Sequence, residues 1–512
     1  MSYSQSFVHD FLKRLELARR SAATRVANAE LPDYDFQDAS VRDLLVTHSQ
    51  PQTFQLGTGA SIFTDTLIPA IASARSEVIL VTCFWAPSDT LTALHDVLTK
   101  LAHHRRTLIR EGNARGERAI PPLRVSICLS SRSLWQKLLH PQSRSGYNYP
   151  PSAWPTKLGL PEHALLEAGG IRLQVKSLFF LPFSVMHPKF VIIDRQRAFV
   201  PSCNVSWEPW LEGCVEIVGD AVQALFSFYS LTWERTLDTR QPLEERVDDI
   251  PALDARGLRL VASAAHCRLA LPSSAVVLPT LVLPSSHHRN PHFRPFPWQQ
   301  HHTPPPTPLN IALLQLFDQA RRSIYIQTPN ITCEPVLAGL LDALARGVDV
   351  TIVTNRNMMR LEQLVTAGTT TSRCIRSLVR RFKQLRPASD SRRHGHGPAE
   401  ADNSNRDHLE EGRRPLGHLR ISYFHARPHD SPRVATPSRG EEPVHSHLKL
   451  TLVDGEYAVF GSGNMDRASW YTSQELGIVF HGSDFSARVK AAVDGVLDGR
   501  LDRVFDSDEI RG

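Results

Sequence analysis

The chain has no uncharged apolar run of about 18 residues, the length a helix needs to cross a bilayer. Membrane contact, if any, is therefore expected to be peripheral. CxxC pairs are also absent. The seven cysteines, Cys83, Cys128, Cys203, Cys214, Cys267, Cys333 and Cys374, are sparse and odd in number for 512 residues, so a disulfide framework is not expected. Reduced thiols and an N-terminus without the apolar core of a secretory signal indicate an intracellular protein, cytoplasmic or peripheral to a membrane. Lys13, Arg14, Arg19, Arg20 and Arg25 give the N-terminus a basic character. Asp10 and Glu16 among them weigh against a mitochondrial presequence but leave a mitochondrial location open. Neither charge sign dominates: 58 Lys and Arg face 52 Asp and Glu, a net charge of +6. That excess suits an anionic partner without defining one. The 41% hydrophobic and 21% charged fractions exclude wholesale disorder. The length sets about three domains or one large two-lobed body.

What is present is repetition. Phe63 to Ala74 has helical apolar spacing and leads into Glu77-Val-Ile-Leu-Val-Thr-Cys-Phe-Trp85, a buried-strand run. Leu313 to Ala320 leads likewise into Ser323-Ile-Tyr-Ile-Gln-Thr328. Each run is followed by a helical pattern, Leu91 to Ala102 and Val336 to Arg346, and then by a strand, Leu123 to Leu129 and Val348 to Val353. Helix alternating with apolar strand predicts crossover units and a mixed, largely parallel sheet flanked by helices, the α/β class. Two copies predict two similar lobes. The predicted organisation is an N-terminal helical extension over 1–56, a first half over 57–283, a Pro/His-rich linker over 284–308 and a second half over 309–512. Within the second half, 386–442 is polar and rich in Arg, Ser, Gly and Pro. It predicts an exposed, poorly ordered insertion interrupted by a strand at Leu419 to Phe424.

The chemistry is repeated too. His187, Lys189 and Asp194 are followed by Ser202 and Asn204; His447, Lys449 and Asp454 are followed by Ser462 and Asn464. The spacings agree residue for residue. Glu216 lies twelve after Asn204 and Glu475 eleven after Asn464. Between Lys and Asp runs an apolar strand, so His and Lys, two apart, project to one face and Asp falls near the strand end. A second strand, Ala198 to Val200 or Tyr457 to Phe460, then ends in the small polar turn that carries Ser and Asn. The pair predicts a hairpin presenting His, Lys, Ser and Asn to one spot. Lysine suits the non-bridging oxygens of a phosphodiester. Asn and Ser add neutral donors for a transition state. Histidine can attack phosphorus or protonate a leaving oxygen. Double displacement needs both roles on opposite sides of phosphorus, and two copies face to face supply them. The glutamates would hold the imidazole tautomers.

This constellation resembles the phospholipase D superfamily, with its doubled HxKxxxxD motif, downstream G-S/G-x-N element and later glutamate. The resemblance covers roughly residues 57–230 and 309–500. It implies two phospholipase D-like lobes with pseudo-two-fold symmetry around one active site, and a covalent phosphohistidine. It also implies a phospholipid or other phosphodiester substrate, and neither metal nor cofactor. By the family's commoner order, His187 is the nucleophile and His447 the acid. Hydrolysis, phosphatidyl transfer as in cardiolipin synthases, and nucleic-acid cleavage all remain readings of the same site; the modest basicity favours lipid. Asp194 and Asp454 have a mainly structural role in the family. The first turn departs from the pattern, reading Pro201-Ser-Cys-Asn204 where the second reads Gly461-Ser-Gly-Asn464, and Pro188 lies inside the first HxK.

Other features have plainer readings. His445, two before His447, has no counterpart in the first copy and is read as incidental. Arg373 to Lys383 is basic, with apolar residues at helical spacing, which reads as a core-packed helix or as a lipid-facing one. Trp207, Trp210 and Trp470 flank the motifs and read as core or pocket lining. Oligomeric state is left undetermined.

Overall fold

A computed structural model of the chain describes residues 3–21, 44–140, 145–180, 184–234, 251–253, 263–271, 276–285, 303–385, 415–427 and 442–510. Most of the linker and most of the polar insertion lie outside the described residues.

The repeated pattern folds as two matching sets of strands. Glu77–Phe84, buried along most of its length, pairs parallel with Leu123–Ser131, which pairs parallel with Ile171–Ser177. The crossover is the helix Asp89–Arg115. Ser88 caps its start by accepting from Leu91 N, and Gly116 ends it at φ 66°, where a side chain would be strained. In the second half Ser323–Gln327, Asp349–Thr354 and Leu419–Phe424 form the same parallel trio, with Glu334–Ala345 as crossover. The strand expected inside the insertion is thus the third member of this trio.

Each trio continues antiparallel. Phe190–Ile193 pairs with Glu77–Phe84 and turns back as Arg197–Pro201, which pairs with Trp210–Gly219. Leu450–Val453, Tyr457–Gly461 and Glu475–His481 repeat the arrangement against Ser323–Gln327. The predicted hairpins are therefore present, and the sheet is mixed, parallel in the trios and antiparallel beyond them.

The halves meet through two strands. Val46–Thr58 pairs antiparallel with Trp210–Gly219, and Leu278–Ser285 pairs antiparallel with Glu475–His481. These two outer strands pair with each other over Val46 to Ser49 and Leu278 to Leu281. One continuous sheet results, and its pseudo-two-fold passes between them. The expected helical extension over 1–56 is thus helical only in part. Tyr3–Ser21 is a helix, but Val46–Thr58 is the opening strand of the first half, as Leu278–Ser285 is of the second. Gln50-Pro-Gln hid this strand, because proline lacks the ladder donor; the register shifts between Pro51 and Thr53 to accommodate it.

Asp194 and Asp454 close the hairpins at the end away from the histidines. Each has a left-handed backbone, φ 51° and 55°. The Asp194 carboxylate accepts from the backbone N–H of Arg75, Ser76 and Glu77 at 2.8–3.2 Å. Asp454 accepts from Arg321, Arg322 and Ser323 at 2.7–3.2 Å. Bonds to a charged acceptor contribute about 1.5–3 kcal/mol each, enough to fix where the adjacent strand begins. Four strand residues, a span of about 16 Å, separate each aspartate from its lysine, so neither reaches the reacting groups.

Candidate active site

The two hairpins bring His187 and His447 to the junction of the halves, and the support of each histidine comes from the opposite half. His187 Nδ1 lies 2.9 and 2.8 Å from the carboxylate oxygens of Glu475. His447 Nδ1 lies 2.7 Å from Glu212 Oε1. The backbone repeats the exchange: His187 N donates to Gln474 O at 3.0 Å, and His447 N to Leu211 O at 2.8 Å. In both cases the acceptor is the residue just before the partner glutamate. A carboxylate at Nδ1 places the proton there and leaves Nε2 as the nitrogen with the lone pair.

The glutamate of the first half is therefore Glu212, and the expectation for Glu216 is corrected. Glu216 accepts from Arg197 Nε and Nη2 at 2.9 and 2.7 Å and from Thr53 Oγ1 at 3.1 Å, away from either imidazole. Counting from the asparagine misleads because the second half inserts a short helix, Arg467–Tyr471, between turn and strand, whereas the first half has none there. The usable signal lay downstream. Gly219 and Gly482 each stand at the N-cap of the next helix, and seven residues before them lie Glu212 and Glu475.

Ser202 and Ser462, expected on phosphate, are turned to these glutamates instead. Ser202 Oγ donates to Glu212 Oε2 and accepts from Gly213 N at 2.9 Å. Ser462 Oγ donates to Glu475 Oε2 at 2.5 Å and accepts from Leu476 N at 3.0 Å. A hydroxyl has one proton, so neither has a donor left for phosphate. Asn204 Oδ1 accepts from Phe84 N at 3.2 Å, and Asn464 Nδ2 donates to Asp466 at 3.0 Å.

Lys189 and Lys449 are buried, as is His447, while His187 is slightly exposed. Lys189 Nζ donates to His187 O at 2.8 Å, while Lys449 Nζ donates to His447 Nε2 at 2.8 Å. Trp210 packs on the His447 ring at 4.9 Å between centroids; Trp470 is core, and Trp207 is exposed beside Phe84. Two further side chains, on equivalent strands, hold the residues just before the histidines. Ser130 Oγ accepts from Met186 N at 2.9 Å, and Asn355 brackets the Ser446 backbone at 2.8 and 2.9 Å. Neither belongs to the sequence motif, and no spacing rule pointed to them.

Residues 313–496 match the family described as cardiolipin synthase, phospholipase D-like domain. The second half is a phospholipase D-like domain. The first half repeats its strand order and hairpin. No curated protein matches the chain. Among solved structures, the chain is similar to phosphatidylserine synthase from Haemophilus influenzae, at 14% identity over 92% of each chain with a TM-score of 0.47. Similarity is also found to Nuc, a phospholipase D family member from Salmonella typhimurium, at 14% identity over 44% of this chain and 96% of that one, TM-score 0.25. Polyphosphate kinase from Porphyromonas gingivalis aligns at 11% identity over 86% of this chain and 47% of that one, TM-score 0.40.

Charged groups of the two halves act on one another across the junction. Burial lowers the His187 imidazole; Glu475 opposes this, and Lys189 and Lys449 add to it. Burial lowers His447 as well, with Glu212 opposing and Lys449 and Lys189 reinforcing. Each histidine thus lies in the field of both lysines. Burial alone would raise Glu212 and Glu475, but the facing histidine, the serine bond and a lysine bring both below the usual carboxylate range. The resting state is two ionised carboxylates beneath two neutral imidazoles. Burial also brings the Lys449 ammonium down to about 7. The basic helix Thr371–Leu385 buries Ile375, Leu378 and Phe382, which is the core-packed arrangement.

Proposed function

We propose that the protein is a phosphodiesterase of the phospholipase D superfamily acting on phospholipids through a covalent phosphohistidine, by hydrolysis or phosphatidyl transfer. The observation that carries this reading is the crossed pair His187–Glu475 and His447–Glu212, with a buried lysine beside each imidazole. His187 Nε2, with Nδ1 held by Glu475, attacks phosphorus. The P–N bond forms as the P–O bond to the headgroup breaks. The leaving oxygen takes the proton shared along the Lys449 Nζ to His447 Nε2 contact. Lys189 and Lys449 offset the growing charge on the non-bridging oxygens. In the second step water or an alcohol gives its proton to His447 and its oxygen to phosphorus, the P–N bond breaks and His187 returns.

The cardiolipin synthase description of the matched family favours an alcohol over water in that second step. The test is to incubate the purified protein with a labelled phospholipid panel and with single-stranded DNA, each with and without glycerol or phosphatidylglycerol. Phospholipid turnover that partitions between phosphatidic acid and a new phosphatidyl alcohol supports the reading. Cleavage of DNA with no lipid product assigns the site to nucleic acid.

The pH profile has a worked sign. His187 must be neutral to attack, and its lowered pKa places the acid limb of kcat/KM below the ordinary histidine value of about 6.5. The proton at Lys449 must be present, so the alkaline limb should lie near about 7. A bound phosphodiester anion stabilises the ammonium, so the alkaline limb of kcat moves higher. Lys449→Arg should lower kcat sharply and leave the residual rate without that limb, since a guanidinium stays protonated and cannot pass its proton on. A wild-type kcat/KM flat to pH 9 contradicts the shared-proton step.

A further inference from the structure

Two helices beside the site expose apolar side chains at pseudo-equivalent positions. Leu123–Ser131 and Asp349–Thr354 are the matching middle strands of the two trios. The first leads into the helix Leu134–Leu139 and the second into the helix Arg360–Ala367. Both strands run toward the histidines, since Ser130 and Asn355 at their ends hold the residues preceding His187 and His447.

Each helix is anchored by one buried glutamine. Gln136 Oε1 accepts from Arg132 N at 3.0 Å, and Gln363 bonds Asn330 Oδ1 at 2.7 Å and Thr371 N at 2.6 Å. The apolar residues around these anchors face solvent instead: Trp135 is 72% exposed, Leu139 75% and Leu361 76%, with Leu138, Leu364 and Val365 also exposed. A core would bury such residues. Both helices start close to strand ends that support the histidines. Lys137 on the first helix lies within electrostatic reach of the exposed Glu362 on the second. Cys83, in the field of Lys189 and Glu475, also feels both Lys137 and Glu362.

From these observations we infer that the two helices dock the protein on an anionic phospholipid bilayer, one from each lobe, with the mouth of the active site between them. The inference rests on the phospholipid reading above. Charge decides for an anionic bilayer surface. Segments 132–139 and 356–365 carry Arg132, Lys137, Arg356 and Arg360 against the single acid Glu362. A tryptophan with leucines and basic neighbours is the composition of an interfacial helix rather than of a protein-binding groove. The arrangement also meets a need of the chemistry. His447 is buried and His187 only slightly exposed, so a diacyl substrate must present its phosphodiester at the mouth while its chains remain in the bilayer.

The experiment is vesicle flotation of the full chain with phosphatidylcholine vesicles, with and without phosphatidylglycerol. Two double variants, Trp135→Ser with Leu139→Ser and Leu361→Ser with Leu364→Ser, and their combination are compared with the wild type. The wild type should float with anionic vesicles, each pair of substitutions should weaken binding roughly tenfold, and the combination should abolish it. Turnover of a soluble short-chain phosphodiester should be unchanged in all variants, which also reports that they fold. Brominated lipid should quench wild-type fluorescence, and Trp135→Phe should remove most of that quenching. Equal flotation of the combined variant and the wild type overturns the inference, as does a wild type that stays off anionic vesicles while turning over short-chain phospholipid. Flotation lost with the substitutions, in a protein that processes no phospholipid, upholds the docking surface and removes the lipid-cleaving reading instead.

Discussion

His187→Ala should lower turnover by roughly 10⁴-fold or more, because in the proposed scheme it removes both the attacking atom and the intermediate formed on it. His447→Asn should divide the reaction differently. With a substrate whose leaving group needs no proton, the first step proceeds slowly, but water then lacks a base. Acid-quenched label should accumulate on His187 Nε2, and peptide mapping would locate it. Two displacements at phosphorus retain configuration, so a chiral substrate should yield a product of unchanged hand. Label on His447 would exchange the two roles within the same scheme, whereas inversion at phosphorus would remove the covalent intermediate altogether. The proposed scheme takes His187 as the nucleophile on one contrast between the two side chains. Its Nδ1 is fully engaged by Glu475, while the Nε2 of His447 already receives the Lys449 proton.

Glu212→Gln should cost roughly 10²- to 10⁴-fold in kcat, whereas Glu216→Gln should leave kcat within about twofold. The amide of glutamine can donate to Nδ1, which favours the tautomer with its proton on Nε2 and stabilises the wrong acid–base state of His447. Glu216 instead is a buried partner of the partly exposed Arg197, so its loss should appear in stability rather than in kcat. Steady-state kinetics and denaturant unfolding on the two variants distinguish the cases. Equal kinetic losses would mean that the cross-half contact does not set the tautomer of His447.

The contrast between these glutamates shows where sequence reading stops. Strand, helix and hairpin were legible because apolar periodicity and the Lys-to-Asp spacing are local. His, Lys and Asp of each copy sit on one hairpin, so their spacing is the geometry of a single strand. Glu212 belongs to another strand and serves the histidine of the other half, and a local helix in one copy alone spoils the count. The strand Val46–Thr58 was masked by its proline, although it joins the halves. Ser202 and Ser462 were located correctly, yet their partners were not, because a hydroxyl's choice between phosphate and carboxylate depends on what the neighbouring strand brings alongside. Gly461 and Pro201 illustrate the same limit. At Gly461, φ is 150° and a Cβ would lie 2.1 Å from Leu476 O, so glycine is required there. Proline cannot adopt that angle, so the first turn is built differently around the same serine.

The crossed histidine–glutamate pairs also bear on descent. A single half of this kind holds a histidine whose carboxylate lies on the other copy, so on its own it is chemically complete only as a symmetric pair. Joining two copies in one chain lifts the demand for symmetry everywhere except at the crossing. Turns, capping residues and surface helices can then drift apart between the copies, as Pro201 and the extra helix Arg467–Tyr471 have done. At the crossing, a substitution in one copy disables the histidine of the other. The two halves are therefore expected to diverge freely in outline while inheriting the four crossed side chains as a single unit.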